Sequence, residues 1–264
     1  MVVTGASSGI GRAVAADFVQ DATVTVIGTS RDPERLSDPL PGVEYLPLDL
    51  GNSRSIAAFA EALQQRGRPA VLVNNAGESQ SGPFEDLPRE ALERLFQVNV
   101  LGHVELTQRL LPSMRKAGRG RVVMVGSMLG SFPLAFRSSY VASKAAIKGF
   151  AFSLRREVRP HGVGVSVVEP GSINTGLSQR RTKYVHEQGP YYDEFATMLR
   201  HLDHNESTGI SAETVAAEVR KAVDSPRPKP FYAVGSRAEV VFPLARVLPV
   251  ETMHAILNRA HGLH

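Results

Sequence analysis

With 264 residues, 42% of them apolar and 21% charged, the chain has the composition of a folded globular protein able to bury a sizeable core. It contains no cysteine, which excludes disulfides, thiolate metal sites and cysteine nucleophiles together. A net charge of +4 and a pI near 9.5 raise the question of a nucleic-acid partner. The basic residues are scattered, however, no basic run is interleaved with aromatics and Trp is absent, so no nucleic acid is expected.

Along the chain, short β-branched runs alternate with longer stretches of helical period. The runs lie at 1–4, 23–29, 43–48, 70–74, 121–125, 164–168 and 231–234, and helices are expected near 10–20, 53–66, 89–115, 138–159 and 212–225. Repeated βα units of this kind predict an α/β fold: a parallel sheet of about seven strands with helices on both faces. Val71-Leu72-Val73 and Val122-Val123-Met124-Val125 are nearly all apolar, as central strands covered on both sides must be. The first run has only three residues ahead of Thr4, so either that strand is short or the chain begins late. No basic segment leads into an apolar run and no stretch approaches ~18 uninterrupted apolar residues; neither secretion nor a membrane span is expected, and a cytoplasmic location is. No linker or repeat interrupts 1–264, which predicts one domain with no metal site. Segment 172–209, polar and carrying Tyr184, Tyr191 and Tyr192, is too long for a structureless loop and is expected to hold short helices as a lid.

The first strand runs into Thr4-Gly5-Ala6-Ser7-Ser8-Gly9-Ile10-Gly11, which opens the first helix. In that setting glycines let a backbone approach a pyrophosphate: Gly5 for the sharp turn, Gly9 for the close approach, Gly11 for packing helix on strand. The N–H groups of the helix start, from Ser7 and Ser8 onward, then face the phosphates. About 20 residues further on, an acid would select NAD(H) and an Arg NADP(H). The chain reads Thr29-Ser30-Arg31, so Ser30 and Arg31 favour NADP(H), with NAD(H) the alternative because Asp32 stands beside them. Asp49 and Leu50, ending the third strand, are expected at the adenine. Asn74-Asn75-Ala76-Gly77 ends the fourth at the carboxyl edge, where open α/β sheets bind ligands.

Tyr140 and Lys144 are four apart on a predicted helix and share a face. An ammonium ~5 Å from the phenol favours the phenolate by about 3 kcal/mol at an effective dielectric of ~20, and an oxidised nicotinamide would add a second positive charge. Ser127 follows the fifth strand, thirteen residues before Tyr140, and its hydroxyl could steady a substrate oxygen; Ser131, Ser138, Ser139 and Ser143 compete for that role. Asn99 is a polar residue within an apolar helical stretch, readable on its own as a hydrogen-bonded core side chain.

Together these motifs resemble the short-chain dehydrogenase/reductase family over essentially the whole chain. The family's glycine motif falls on Thr4–Gly11, its Asn-Asn-Ala-Gly on 74–77, its Asn, Ser, Tyr, Lys tetrad on Asn99, Ser127, Tyr140 and Lys144, and its Pro-Gly on Pro170-Gly171. The resemblance implies a Rossmann-type doubly wound sheet and hydride exchange between NADP(H) and an alcohol or carbonyl substrate. Tyr140 would be the acid/base, Lys144 would hold the ribose and Ser127 the substrate oxygen, while Asn99 would carry a water linking Lys144 to solvent. Ile10, Asp49, Asn75, Ala76, Gly77 and Ile173 would line the dinucleotide, with Thr175 at the nicotinamide. A homodimer or homotetramer is implied, with the helices carrying Asn99 and Tyr140 at an interface.

The tail, 226–264, is rich in apolar residues such as Val240, Val241, Phe242, Leu244, Val247, Leu248, Met253 and Leu257. It resembles the tails of members acting on steroids, retinoids or other lipophilic carbonyls. Core packing or a subunit contact would use the same residues, and a peripheral membrane contact stays open. A non-catalytic dinucleotide sensor would not need the tetrad, and epimerase or dehydratase relatives resemble longer chains with another glycine spacing.

Overall fold

The computed structural model describes residues 1–67, 69–176 and 178–263. From the N-terminus, β1 (Val2–Val3) leads into α1 (Gly9–Phe18), followed by β2 (Val26–Ser30), β3 (Val43–Pro47), α2 (Ser53–Arg66) and β4 (Val71–Asn74). After a two-residue β5 (Gln80–Ser81) come α3 (Arg89–Phe96), α4 (Gly102–Lys116), β6 (Gly120–Val125), α5 (Ser138–Val158) and β7 (Val163–Pro170). The chain ends in β8 (Thr182–Lys183), α6 (Tyr192–Ser207), α7 (Ala212–Asp224), β9 (Phe231–Val234), α8 (Ala238–Leu244) and α9 (Val250–Ala260).

Seven strands pair in the order β3-β2-β1-β4-β6-β7-β9, every pair parallel. Alternation along each strand splits the core in two. Val2, Leu72, Val122, Met124, Val165 and Val167 pack with Ile56, Leu63, Leu106, Met114 and Ile147 on one face. Val3, Val73, Val123, Val125 and Val168 pack with Val14, Phe18, Val215 and Val219 on the other. The expected three layers follow: helices cover both faces, which is why the central strands read as continuous apolar runs.

Strand order reverses between β1 and β4. The chain first moves outward to β3, then crosses back to build the other half, leaving a crevice at the carboxyl ends of these two strands. β1 spans two residues.

Three features depart from the reading above. The single helix expected at 89–115 is α3 and α4 joined by a π turn, Gln97–Leu101, which contains Asn99; one extra residue per turn leaves no mark on apolar periodicity. β5 and β8 form a separate parallel pair, each too short to carry a two-residue alternation. Segment 172–209 holds the 16-residue α6 rather than short helices alone. Its Phe195, Met198 and Leu202 recur at helical spacing and pack on Leu134 and Leu263. No helix among the described residues is long and apolar enough to cross a membrane.

His103 of α4 is 3% exposed, with Nε2 at 2.7 Å from the Ala76 carbonyl oxygen and Nδ1 at 3.1 Å from the Asn74 amide. It thereby props the end of β4 from below. Burial pushes its imidazole down from 6.5 to about 4. The unfolded chain therefore binds a proton that the folded one refuses, and stability falls as pH drops from about 6.5 towards about 4. A His103→Gln variant, which cannot titrate, should show a flatter urea-midpoint profile across that window; a profile as steep as the parent's would assign the acid sensitivity elsewhere.

Candidate active site

The turn after β1 is tied to the turn after β4. Thr4 Oγ1 accepts from the N–H of Asn75 at 2.8 Å and of Ala76 at 3.0 Å, and Asn75 Nδ2 donates to Thr4 O at 2.9 Å. The Gly5 N–H donates to Thr29 Oγ1 at the end of β2. Gly5 sits at φ +67°, where a side chain would be strained. Gly11 is different: its helical backbone is ordinary, but a Cβ there would lie 2.3 Å from Gly5 O and 2.4 Å from Asn75 Nδ2. Ser8, which precedes α1, does not cap it with its side chain, so the first N–H groups of the helix face outward unclaimed.

This turn forms one wall of a cavity of about 620 Å³ along the carboxyl edge of the sheet. Gly5, Ser7, Ser8, Gly9 and Ile10 line it from the turn and the start of α1, Ser30 and Arg31 from the end of β2 and just beyond it, and Asp49 and Leu50 from the segment after β3. Asn75, Ala76 and Gly77 follow β4 into it, and Pro170, Gly171, Ile173 and Thr175 follow β7. Arg31 is exposed and makes no ion pair among the described residues, because the neighbouring Asp32 is paired with Arg35 at 3.2 Å.

At the other end of the cavity stand Ser127, Tyr140 and Lys144. Tyr140 and Lys144 are each 7% exposed. The Lys144 ammonium lies 5.8 Å from the centre of the Tyr140 ring and donates to the Val125 carbonyl at 3.0 Å, which fixes it over the end of β6. Ser127 Oγ accepts from the Leu129 N–H, leaving its own hydrogen to donate outward.

Tertiary structure also separates the five serines. Ser131 donates to Glu169, Ser139 accepts from Gln80, and Ser143 donates to the Tyr140 carbonyl. Of these and Ser138, none lines the cavity; Ser127 does.

Two candidates lie off the wall. Gly11 works from behind, as its contacts require. Asn99, 1% exposed, accepts from the Glu78 N–H at 2.8 Å and donates to the Glu78 carbonyl at 3.0 Å and to Ser143 Oγ at 3.3 Å. Its side chain thus holds the strand-end segment beside Gly77, as the reading of a hydrogen-bonded core Asn anticipated.

Five charged residues on the wall escaped the sequence reading as site residues: Glu78 and Arg94, which pair with each other, and Arg137, Arg180 and Glu206. Arg137 is 1% exposed and sits with its guanidinium carbon 4.3 Å over the Tyr140 ring. Positions 137, 140 and 144 fall at i, i+3 and i+7, so helical spacing could have flagged it. Arg180 donates to Ser8 Oγ at 3.0 Å across 172 residues. Glu206 of α6 pairs with Arg181, and burial pushes its carboxyl up from the usual range. No local pattern announces either of these two. The wall also carries apolar side chains, among them Phe132, Leu134, Leu202, Val241 and Leu257.

A family model described as short chain dehydrogenase matches residues 1–185. The chain is 32% identical to a 3-ketodihydrosphingosine reductase of Bacteroides thetaiotaomicron, over 92% of this chain and 90% of that one. Its structure superposes with a TM-score of 0.82 on a short-chain dehydrogenase from Streptomyces avermitilis, 37% identical, covering 98% of this chain and 94% of that one. A short chain dehydrogenase from Burkholderia cenocepacia in complex with NADP gives a TM-score of 0.76 at 25% identity, covering 97% and 95%.

Helix propensity alone would favour Ala at position 11 by about 1 kcal/mol. The contacts of a Cβ there reverse that sign, so Gly11→Ala should destabilise by about 1–3 kcal/mol. Thermal unfolding reads the sign directly: a raised melting temperature would contradict the packing role.

Proposed function

The chain belongs to the short-chain dehydrogenase/reductase family of oxidoreductases, and on that premise we propose that it moves hydride between NADP(H) and a lipophilic alcohol or carbonyl substrate. The observation that carries this reading is the buried Tyr140 on the cavity wall, with Lys144 at 5.8 Å from its ring and Ser127 beside it.

The residues present fit the cofactor. Uncapped N–H groups at the start of α1 suit a pyrophosphate, and a Cβ on Gly5 would come within 3.0 Å of Ala76, closing the cradle. When bound, the nicotinamide supplies or accepts the hydride. Ser7, Ser8, Gly9 and Ile10 would hold the phosphates, Asp49 and Leu50 the adenine, and Asn75, Ala76 and Gly77 the adjoining ribose. Ser30 and Arg31 would take the phosphate that distinguishes NADP(H), while Ile173 and Thr175, after Pro170 and Gly171, would flank the nicotinamide. The NADP complex of the Burkholderia cenocepacia relative supports the same choice; NAD(H) remains the alternative.

In the reducing direction the Tyr140 hydroxyl donates its proton to the substrate oxygen; in the oxidising direction the phenolate takes that proton back. Lys144 favours the phenolate by Coulomb attraction. Ser127 donates to the substrate oxygen, holding it and the charge that develops there. The Asn99 side chain keeps Glu78 and Ser143 in place, and Asn99 would carry the water linking Lys144 to solvent.

Phe132, Leu134, Leu202, Val241 and Leu257 support a lipophilic substrate, as does the relative named for 3-ketodihydrosphingosine. Residues 172–209 would act as the lid and 226–264 as the wall that selects the substrate. Phe150 and Phe152, exposed on α5, support a homo-oligomer of two or four subunits through that helix. Exposed Val240, Leu244, Val247 and Val250 offer a peripheral membrane contact for a cytoplasmic protein. A dinucleotide sensor is the weaker reading, since sensing gives no reason for Ser127, Tyr140 and Lys144 to converge on one wall.

Tyr140→Phe should lower kcat about 10²–10⁴-fold across small, aromatic and steroid-sized ketones while NADPH binding is kept. Turnover near that of the parent would sink the acid/base role. Arg31→Ala should weaken NADPH binding about tenfold or more, the value of one charge-assisted contact, and leave NADH binding unchanged. Equal losses for both cofactors in fluorescence titrations would refute the Arg31 assignment.

A further inference from the structure

Arg137 presents a problem that fold stability does not answer. A guanidinium 1% exposed has lost its hydration, which is costly unless a counter-charge replaces it. Among the described residues Arg137 has no ion pair. The nearest acids, Asp203 and Glu206 of α6, are engaged by Arg181. What holds Arg137 is neutral: Nη1 donates to Ser79 Oγ at 3.1 Å, Gln80 O at 3.0 Å and Ser81 Oγ at 2.8 Å, while Nε finds no partner among the described residues. The remaining neighbour is the face of Tyr140, 4.3 Å away.

Electron density in the ring rises when a phenol becomes a phenolate, so a cation over the face is attracted more strongly to the ionised form. Here the ring lies between two cations. Lys144 stands 5.8 Å from its centre and Arg137 4.3 Å, the first on α5 and the second at the residue that precedes it. Resting on the acid/base reading of Tyr140, we infer that Arg137 is a positioning residue: it clamps the Tyr140 ring in plane and favours the phenolate as a second fixed cation. Ser79, Gln80 and Ser81 anchor it, and because β5 pairs with β8, the anchor is continuous with the lid segment itself.

The other charges around the pair are consistent with this. Arg181 repels Arg137, and Glu206 and Asp203 attract it; Lys144 faces the neutral His103 and, at a distance, Glu169. Burial lowers the Arg137 guanidinium from its ordinary value to about 10, so it remains charged at neutral pH.

The test is the pH dependence of kcat/KM for oxidation of a secondary alcohol with NADP⁺, in the full-length enzyme. Parent activity should rise with pH as phenolate forms. In Arg137→Gln the midpoint of that rise should move up by roughly one pH unit, and in Arg137→Lys, which keeps a charge but cannot lie flat over the ring, by less. NADPH affinity should stay as in the parent. A uniform fall in rate with the midpoint unmoved, in whichever of the two variants folds, overturns the inference and leaves Arg137 a packing residue. Tyr140→Phe separates the two levels: if it is active, the acid/base reading itself has failed; if it is inactive and the Arg137 midpoint has not moved, only the second-cation role has.

Discussion

One buried hydroxyl joins the two halves of the sheet. Thr4 Oγ1 accepts from the N–H groups of Asn75 and Ala76, locking the turn after β1 to the turn after β4 at the point where strand order reverses. Parallel strands must part there, because their crossovers leave in opposite directions, and the parting exposes backbone N–H groups that need partners. Thr4 and Asn75 satisfy those nearest the sheet. The ones further along, at the start of α1, are left facing the cavity. Binding geometry at this edge is thus a by-product of how the sheet closes its own hydrogen bonds.

The same economy governs α5. Its first turns present Arg137, Tyr140 and Lys144 on one face, and each is fixed by a different element: Ser79–Ser81 for the guanidinium, the guanidinium for the ring, and the end of β6 for the ammonium. In the proposed acid/base role, a phenol held between rigid partners would not need to reorganise during the reaction, which is what electrostatic preorganisation requires. Ser143, between them in sequence, turns the other way and links α5 to Asn99. The π turn carrying Asn99 is therefore a joint between the strand-end segment at Glu78 and the helix bearing Tyr140.

Much of this was legible beforehand. Seven strands, the helices between them, the glycine turn and the Tyr-Lys pair all depend on interactions within a few residues: side-chain alternation, helical spacing, and turns that only glycine tolerates. Ser127 was singled out among five serines for its strand-end position, and only the hydrogen bonds of Ser131, Ser139 and Ser143 show why those three do not reach the cavity wall that Ser127 lines. Asn99 marks the limit from the other side. Its polarity was evident, but its partners, the two ends of Glu78, lie 21 residues away.

The sequence by itself determined the class of fold, the edge of the sheet where the cavity lies, and the helix face that carries the phenol, because periodicity and turn chemistry are local. Tertiary structure decided which distant charges meet there. Arg180 reaches Ser8 across 172 residues, Glu206 comes from a helix that packs through Phe195, Met198 and Leu202, and Arg137 is stripped of water by segments that no short-range rule brings near it. Burial and long-range pairing set the electrostatics of the site, and both exist only once the chain has closed on itself.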